Sequence, residues 1–324
     1  MLYSFPKAIF IFIVLFTAPR LILAQQSYPD PVLPDSIPRM FAKNILTDGL
    51  SNRDFTMSPS GNEVYYTIQH PKFLASVIIR LKKENGKWGT PEVAPFSGVY
   101  RDLEASFSPD GNTIFFSSDR PLPGGKPKRD FDIWKVSRLP NGKWSVPENL
   151  GPVVNSAKNE FYPSAARNGN LYFTVEASYG KGGEDIVLCR KTIEGYAAPE
   201  SLPEAINTKL GEFNAFVDPD EKYLLFSSYG RADDKGMGDL YISHRDKNGN
   251  WLAATHLPAP LNSDGLDYCP YVTPDRKYLV FTSNRLRNEW RNEKAVTYKE
   301  LVSLLTEPGN GLDDLYWVKF NSSW

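Results

Sequence analysis

Five times this chain repeats one short phrase. It reads FTMSPSGNEVYYT from Phe55, SFSPDGNTIFFSS from Ser106, SAARNGNLYFTVE from Ser164, FVDPDEKYLLFSS from Phe216 and YVTPDRKYLVFTS from Tyr271. Each is a run entering a Pro/Asp/Gly-type turn, followed by an alternating aromatic–aliphatic run. The last turn position falls at Gly61, Gly111, Gly169, Glu221 and Arg276, which are 50, 58, 52 and 55 residues apart. A period of that length belongs to a repeat architecture in which each unit buries its apolar faces against its neighbours.

The second unit shows the grammar. Residues 103–108 form a first strand, A. Pro109-Asp110-Gly111-Asn112 is a turn, in which Pro presets φ, Asp bonds its own backbone and Gly accepts positive φ. Residues 113–117 form strand B and 132–137 strand C. Asn141-Gly142 marks a hairpin. Residues 143–150 carry a short strand D whose internal Pro147 suits a sheet edge. The other units repeat this order. Four antiparallel strands per unit, arranged radially, make a β-propeller blade. The fifth unit ends near Phe320 with no strand D, whereas 41–46 stands alone before the first strand A. The predicted architecture is therefore all-β: a single five-bladed propeller over 41–320, its last blade closed by an N-terminal strand at 41–46 that removes an exposed edge.

The runs FSPDGNTIFFSSDR (107–120) and VTPDRKYLVFTSNR (272–285) resemble the WD40-like PD40 repeats of TolB-type propellers, over roughly residues 40–320. The resemblance implies the fold. It implies no single activity, because that family spans peptidase-associated domains, envelope scaffolds and carbohydrate-active enzymes.

The ends and the composition bound the setting. Lys7 followed by the apolar stretch 8–18 reads as a signal peptide ending near Ala24, with 25–40 as an N-terminal extension. The expected location is periplasmic or secreted, with no membrane span after cleavage. With 37 basic and 38 acidic residues, a non-specific nucleic-acid partner is not expected. Cys189 and Cys269 lie in different strand types of different units and are read as two buried thiols. There is no CxxC, HExxH, GxSxG or Gly-rich phosphate loop.

Strand direction places the D–A and B–C connections on one face and the minimal A–B and C–D turns on the other, which leaves little room for a site there. The loop-rich face is where function is expected. Its B–C loops are 119–129, 177–183, 229–238 and 286–311. The last contains a capped helix over 297–305, either a lid for the channel mouth or a segment packed on its own blade. Nine residues before the turn position stand Asn52, Asp102, Glu160, Glu212 and Asp267. Seven before it stand Asp54, Glu104, Tyr162, Asn214 and Cys269. Both rings are expected near the channel mouth, with Arg53, Arg101, Arg120, Lys181, Arg231 and Arg285 as basic partners. Three readings follow. The acids bind a polar ligand, a protein or a glycan of the cell envelope, in a monomer without catalysis or cofactor. Or Asp54, Glu104 and Asp102 act as acid and base of a glycoside hydrolase or lyase. Or the ring makes blade-to-blade bonds only. The mouth carboxylates would also suit Ca²⁺. The aspartates opening strand C (Asp132, Asp185, Asp239, Asp314) read as turn caps, and Trp88, Trp144, Tyr196 and Trp251 as inter-blade packing.

Overall fold

A computed structural model of the chain describes Met1 and residues 27–126, 130–176, 179–287 and 295–324. The expected signal peptide and parts of the loops 119–129, 177–183 and 286–311 lie outside the described residues. Among the described residues no helix is long and apolar enough to cross a membrane.

The turns and alternating runs produce five antiparallel blades arranged in a ring, a five-bladed β-propeller. Their inner strands are Ser51–Met57, Asp102–Phe107, Glu160–Ala165, Gly211–Val217 and Asp267–Val272. Each pairs outward with its strand B, then strand C, then a short strand D. The D strands shrink to two residues, such as Glu148–Asn149 and Glu200–Ser201. The preceding Pro147 and Pro199 cannot donate to a ladder.

The aromatic–aliphatic alternation has a direct cause. Strands B and C are covered on both faces, so neighbouring residues feed different blade interfaces. Ile114 and Phe116 pack against Tyr65 and Ile78 of the first blade, while Phe115 packs with Leu171 and Phe173 of the third. Likewise Leu224 and Phe226 meet Tyr172 and Ile186, whereas Leu225 meets Leu279 and Phe281. The apolar core is thus a ring of inter-blade wedges.

The closing strand sits two residues earlier than expected. Arg39–Met40 pairs with Trp317 and Tyr316, and the Phe41 amide donates to the Leu315 carbonyl at 2.8 Å. The 41–46 segment is not a strand. Ala42 (φ 48°) and Asn44 (φ 66°) turn it, and the Leu46 amide donates back to the Ala42 carbonyl at 2.9 Å. Phe41 and Leu46 are anchors instead of alternating strand residues: both are fully buried, with Phe41 4.5 Å from Trp317 and 5.2 Å from Phe55 by ring centroid. The upstream segment is tied down as well. Tyr28 packs edge-on against Tyr278 (5.3 Å) and Trp317 (5.4 Å) and donates to Asp275 at 2.8 Å.

The helix forms as Tyr298–Thr306, with Thr297 and Glu300 in a reciprocal capping box. It packs near the start of the first blade: a Cβ on Gly49 would overlap the Thr306 carbonyl, and Asn310 Nδ2 donates to Gly49 O at 3.0 Å. Only its Leu304 is buried.

Candidate functional site

One local irregularity builds the channel mouth. Every inner strand breaks register at the same place, between Arg53/Thr56, Leu103/Ser106, Phe161/Ser164, Phe213/Phe216 and Tyr268/Tyr271. At each break one non-glycine residue adopts positive φ: Asp54 (61°), Glu104 (60°), Tyr162 (51°), Asn214 (51°) and Cys269 (51°). A bulge re-aims its neighbours. The amide it frees finds a partner in the preceding blade. Glu104 N donates to Thr67 Oγ1 at 3.2 Å, Asn214 N to Thr174 Oγ1 at 3.0 Å and Tyr162 N to Glu104 Oε2 at 2.7 Å.

The two rings expected at the mouth consequently part company. The ring nine residues before the turn serves the scaffold. Its amides staple blades together: Asn52 N donates to Asp313 O (2.7 Å), Glu160 N to Phe131 O (2.9 Å), Glu212 N to Glu184 O (2.9 Å) and Asp267 N to Gly238 O (2.9 Å). Its carboxylates turn to their own blade's loops. Glu160 accepts from Ser156 N at 3.0 Å, Glu212 from Thr208 N at 2.8 Å and Asp267 from Ser263 N at 2.6 Å. The arginines after strand B complete this lock. Arg120 meets Asp102 at 2.5 Å, Arg231 meets Glu212 at 2.9 Å and Arg285 meets Asp267 at 2.6 Å. Each lies over aromatic rings of strands B and C and donates to a D–A loop carbonyl, namely Phe96 O, Ile206 O and Leu261 O. Burial raises the Asp102 pKa, and Arg120 opposes the shift. Asp102, Glu160, Glu212 and Asp267 are fully buried, so their expected position at the mouth is corrected.

The strand-C aspartates cap loops. Asp185 accepts from the Lys181 and Gly182 amides, Asp239 from Lys235 N and Asp314 from Gly309 N. Trp144 joins two blades through Tyr65 (Nε1 to Oη, 2.8 Å). Both cysteines are buried free thiols.

The mouth itself is a cavity of about 260 Å³, slightly below the usual range of ligand pockets. Its ring lies eight residues before the turn: Arg53, Leu103, Phe161, Phe213 and Tyr268. Phe73, Phe131 and Leu266 extend the apolar wall, and Gln69, Ser76, Arg101, Glu104, Thr174, Glu184 and Asn214 supply polar groups. No residue of the helix Tyr298–Thr306 lines it. Acidic residues stand at the positions on either side of this apolar ring, and the bulge that presents it has no single-residue signature. The signal present was four apolar residues at one repeat position beside a lone arginine.

Arg53 organises the floor. Nε donates to Asp54 Oδ1 (2.8 Å), Nη1 to Gln69 Oε1 (3.1 Å) and Nη2 to Glu104 Oε1 (2.9 Å), with the guanidinium 5.0 Å over the Tyr268 ring. Burial works against its charge, but Asp54, Tyr268, Cys269 and Glu104 hold its pKa well above the ordinary value. Asp54 is 1% exposed; its Oδ1 also accepts from Cys269 Sγ at 2.9 Å, and it does not line the cavity. Glu104 does, while accepting from Ser117 Oγ (3.2 Å) and Asn214 Nδ2 (3.3 Å) as well. Burial and then the nearby Asp54 push its pKa up to about 7.

Glu184 is the carboxyl that sequence reasoning missed. Its backbone is fixed against the fourth blade through Glu212 N, and its side chain borders the cavity. Burial, then Glu176, raise its pKa, and Arg53 opposes them. Arg101 forms the rim, 2.7 Å from Asp119 and 4.7 Å over Phe131. Of the expected site residues, Arg53, Glu104 and Asn214 meet at this cavity, with Asp54 and Tyr162 beneath. Among the described residues no group of three or more His, Cys, Asp or Glu could hold a metal ion. At the channel floor, Arg53 stands between the carboxylates proposed to attract Ca²⁺.

The opposite face is less plain than its short turns implied. Pro59, Pro109, Pro219 and Pro274 surround the other channel end and, with Met57, Phe107, Phe216, Tyr271 and Arg276, border a cavity of about 250 Å³. The turns are minimal, but their prolines stand around the axis.

No family model matches the chain, and no curated protein matches it. Solved structures do. A glycoside hydrolase aligns at 7% identity and a TM-score of 0.54, covering 88% of this chain and 91% of its own. The GH43 endo-arabinanase from Bacillus licheniformis aligns at 14% identity and 0.50, covering 86% and 97%. TolB from Acinetobacter baumannii aligns at 12% identity and 0.46, covering 84% of this chain and 55% of the TolB structure, so this chain spans about half of that length. At these identities the likeness is one of fold, and the fold is the five-bladed β-propeller.

Proposed function

We propose that this is an exported propeller of the PD40 type that binds a glycan, without catalysis, in the cavity of its loop-rich face. The observation that carries the reading is the composition of that cavity. Aromatic and aliphatic side chains from all five blades surround a few polar groups: Phe73, Leu103, Phe161, Phe213 and Tyr268 around Gln69, Ser76, Glu104 and Glu184. A sugar ring presents apolar C–H faces and hydroxyl edges, and such a cup offers a partner to each. Of the candidate catalytic carboxyls, Asp102 is spent on Arg120, and Asp54 lies under Arg53. Export rests on the N-terminal apolar stretch.

One observation favours a second reading. Glu104 and Glu184 border the same cavity, and both are held toward their neutral forms. Two such carboxyls are the equipment of a glycoside hydrolase. A glycan array followed by calorimetry, alongside a hydrolysis screen on the array hits, separates the two. Binding without turnover, weakened by Phe161→Ala, supports the binding reading. Turnover abolished by Glu184→Gln replaces it with the hydrolase reading. The absence of any glycan ligand overturns both.

A further inference from the structure

Among the described residues, charge in the mouth is unbalanced. Three carboxyl groups, Asp54, Glu104 and Glu184, share the field of one guanidinium, Arg53. The other cation of the cavity, Arg101, is matched by Asp119. Asp54 and Glu104 each hold a direct bond to Arg53, whereas the Glu184 carboxyl makes no hydrogen bond or ion pair among the described residues. A half-buried carboxyl with no partner loses hydration and gains nothing for it, unless something arrives to pair with it. A second group is also left waiting. Ser76 is 3% exposed and borders the cavity, and its buried hydroxyl has no partner among the described residues.

The walls suit a positive charge as well. An aromatic face attracts cations through its quadrupole. Two rings of this mouth already carry one: Arg53 lies 5.0 Å over Tyr268 and Arg101 4.7 Å over Phe131. Phe161 and Phe213 line the same cavity, and among the described residues neither has a guanidinium over it.

Resting on the reading that this mouth binds a glycan, we propose that the sugar it takes carries a free ammonium group. The sugar ring lies on the aromatic wall, its ammonium pairs with Glu184, and a hydroxyl meets Ser76. A neutral sugar would offer Glu184 only hydroxyl donors and no charge to offset its own. An anionic one would meet the carboxyl excess.

Proton linkage gives a readout independent of affinity. A cation beside Glu184 and Glu104 favours their charged forms, so binding expels protons held by these carboxyls. Among the described residues, the charged or titratable groups around them are Glu176, Arg53, Arg101, Asp54, Tyr162, Tyr268 and Cys269. Among these, burial keeps Tyr162 and Cys269 protonated, with like-charged neighbours adding to the effect.

The test is calorimetry with three probes of equal length: glucosamine oligomers, N-acetylglucosamine oligomers and cello-oligosaccharides. It is run at acidic pH, below the titration range of the oligomer amines, in two buffers of different ionisation enthalpy. The expected result is tighter binding of the glucosamine oligomers by about tenfold or more, weakening with salt, with protons released for that probe alone. In Glu184→Gln, checked for an unchanged melting temperature, the preference for the glucosamine oligomers over the two neutral probes should be lost, and the proton release should shrink to the share that Glu104 supplies. Equal affinity for all three probes, or no proton release, overturns the ammonium assignment and leaves the glycan reading standing. Binding of none of the probes, together with an empty glycan array, overturns both.

Discussion

Arg53 of the first blade and Glu104 of the second meet at 2.9 Å inside the channel, both more than nine-tenths buried. The same guanidinium holds Asp54 at 2.8 Å, so one cation neutralises carboxylates from two adjacent blades. Replacing Arg53 with Met keeps much of the volume and strands both acids. Removing one partner of a buried ion pair costs about 3–5 kcal/mol, because the remaining charge is left uncompensated. Urea denaturation should show a loss of that size for Arg53→Met and a smaller one for Arg53→Lys. A loss under about 1 kcal/mol, the worth of an exposed pair, would contradict the burial argument.

The Glu104 carboxyl should leave a trace in the pH dependence of stability. Burial and Asp54 raise its pKa from an ordinary 4.5 to about 7 in the folded state. The folded state therefore binds this proton more tightly than the unfolded chain does. The contribution is fully present below the unfolded value and is lost as pH rises through the folded one. Stability referenced to Glu104→Gln, whose side chain does not titrate, should fall between those two pH values and be flat on either side. Denaturation series across that window check the sign, and a rising difference would contradict it.

Ring closure depends on the segment before the first blade. Tyr28 is buried against Tyr278 and Trp317, and Arg39–Met40 covers the edge of Asp314–Lys319. Tyr28→Ala should cost about 3–5 kcal/mol, as for other large buried aromatics. Deleting residues through Met40 uncovers a strand edge, and self-association is expected. Light scattering of the truncated chain, beside a denaturation curve for Tyr28→Ala, measures both.

The thiols should be inert in the folded protein. Burial, then Glu200 and Glu160, push Cys189 up to about 12. Burial, then Asp54, raise Cys269 well above its ordinary value. The reactive species is the thiolate, so neither cysteine should react with a disulfide reagent until the protein unfolds. Prompt labelling of one thiol in the native state would contradict its burial.

The architecture was legible because it is written redundantly. A turn repeated five times and an alternation forced by burial on both strand faces leave one solution. The closing strand was displaced by two residues because Phe41 and Leu46 read as strand alternation but serve as anchors around a turn. The site was legible only in part, for a different reason. In this ring charge marks mainly the scaffold. Asp102, Glu212 and Asp267 face their own loops, with Arg120, Arg231 and Arg285 folded over them. Phe161 and Phe213 reach the mouth through the bulge at the following residue, whose positive φ falls on Tyr162 and Asn214 and carries no mark in residue type. Glu184 was passed over because it stands beside Asp185, whose repetition across blades absorbed that position into the capping pattern.

The aromatic wall can be separated from the scaffold experimentally. Phe213 is half-buried, borders the mouth and leans on Tyr229 at 6.2 Å, with no hydrogen bond depending on its ring. Its truncation to Ala removes one stacking surface. A single aromatic contact is worth about 0.5–1.5 kcal/mol beyond its area, so affinity for a bound sugar should fall by about tenfold. The arginine network beneath stays in place, since Arg53 stacks on Tyr268 instead. Arg167, at the opposite channel end and paired with Asp220, provides the control. Arg167→Ala should leave the affinity unchanged. If Arg167→Ala lowers affinity and Phe213→Ala does not, the ligand enters from the proline-rimmed end of the channel, and the loop-rich face loses its claim to the site.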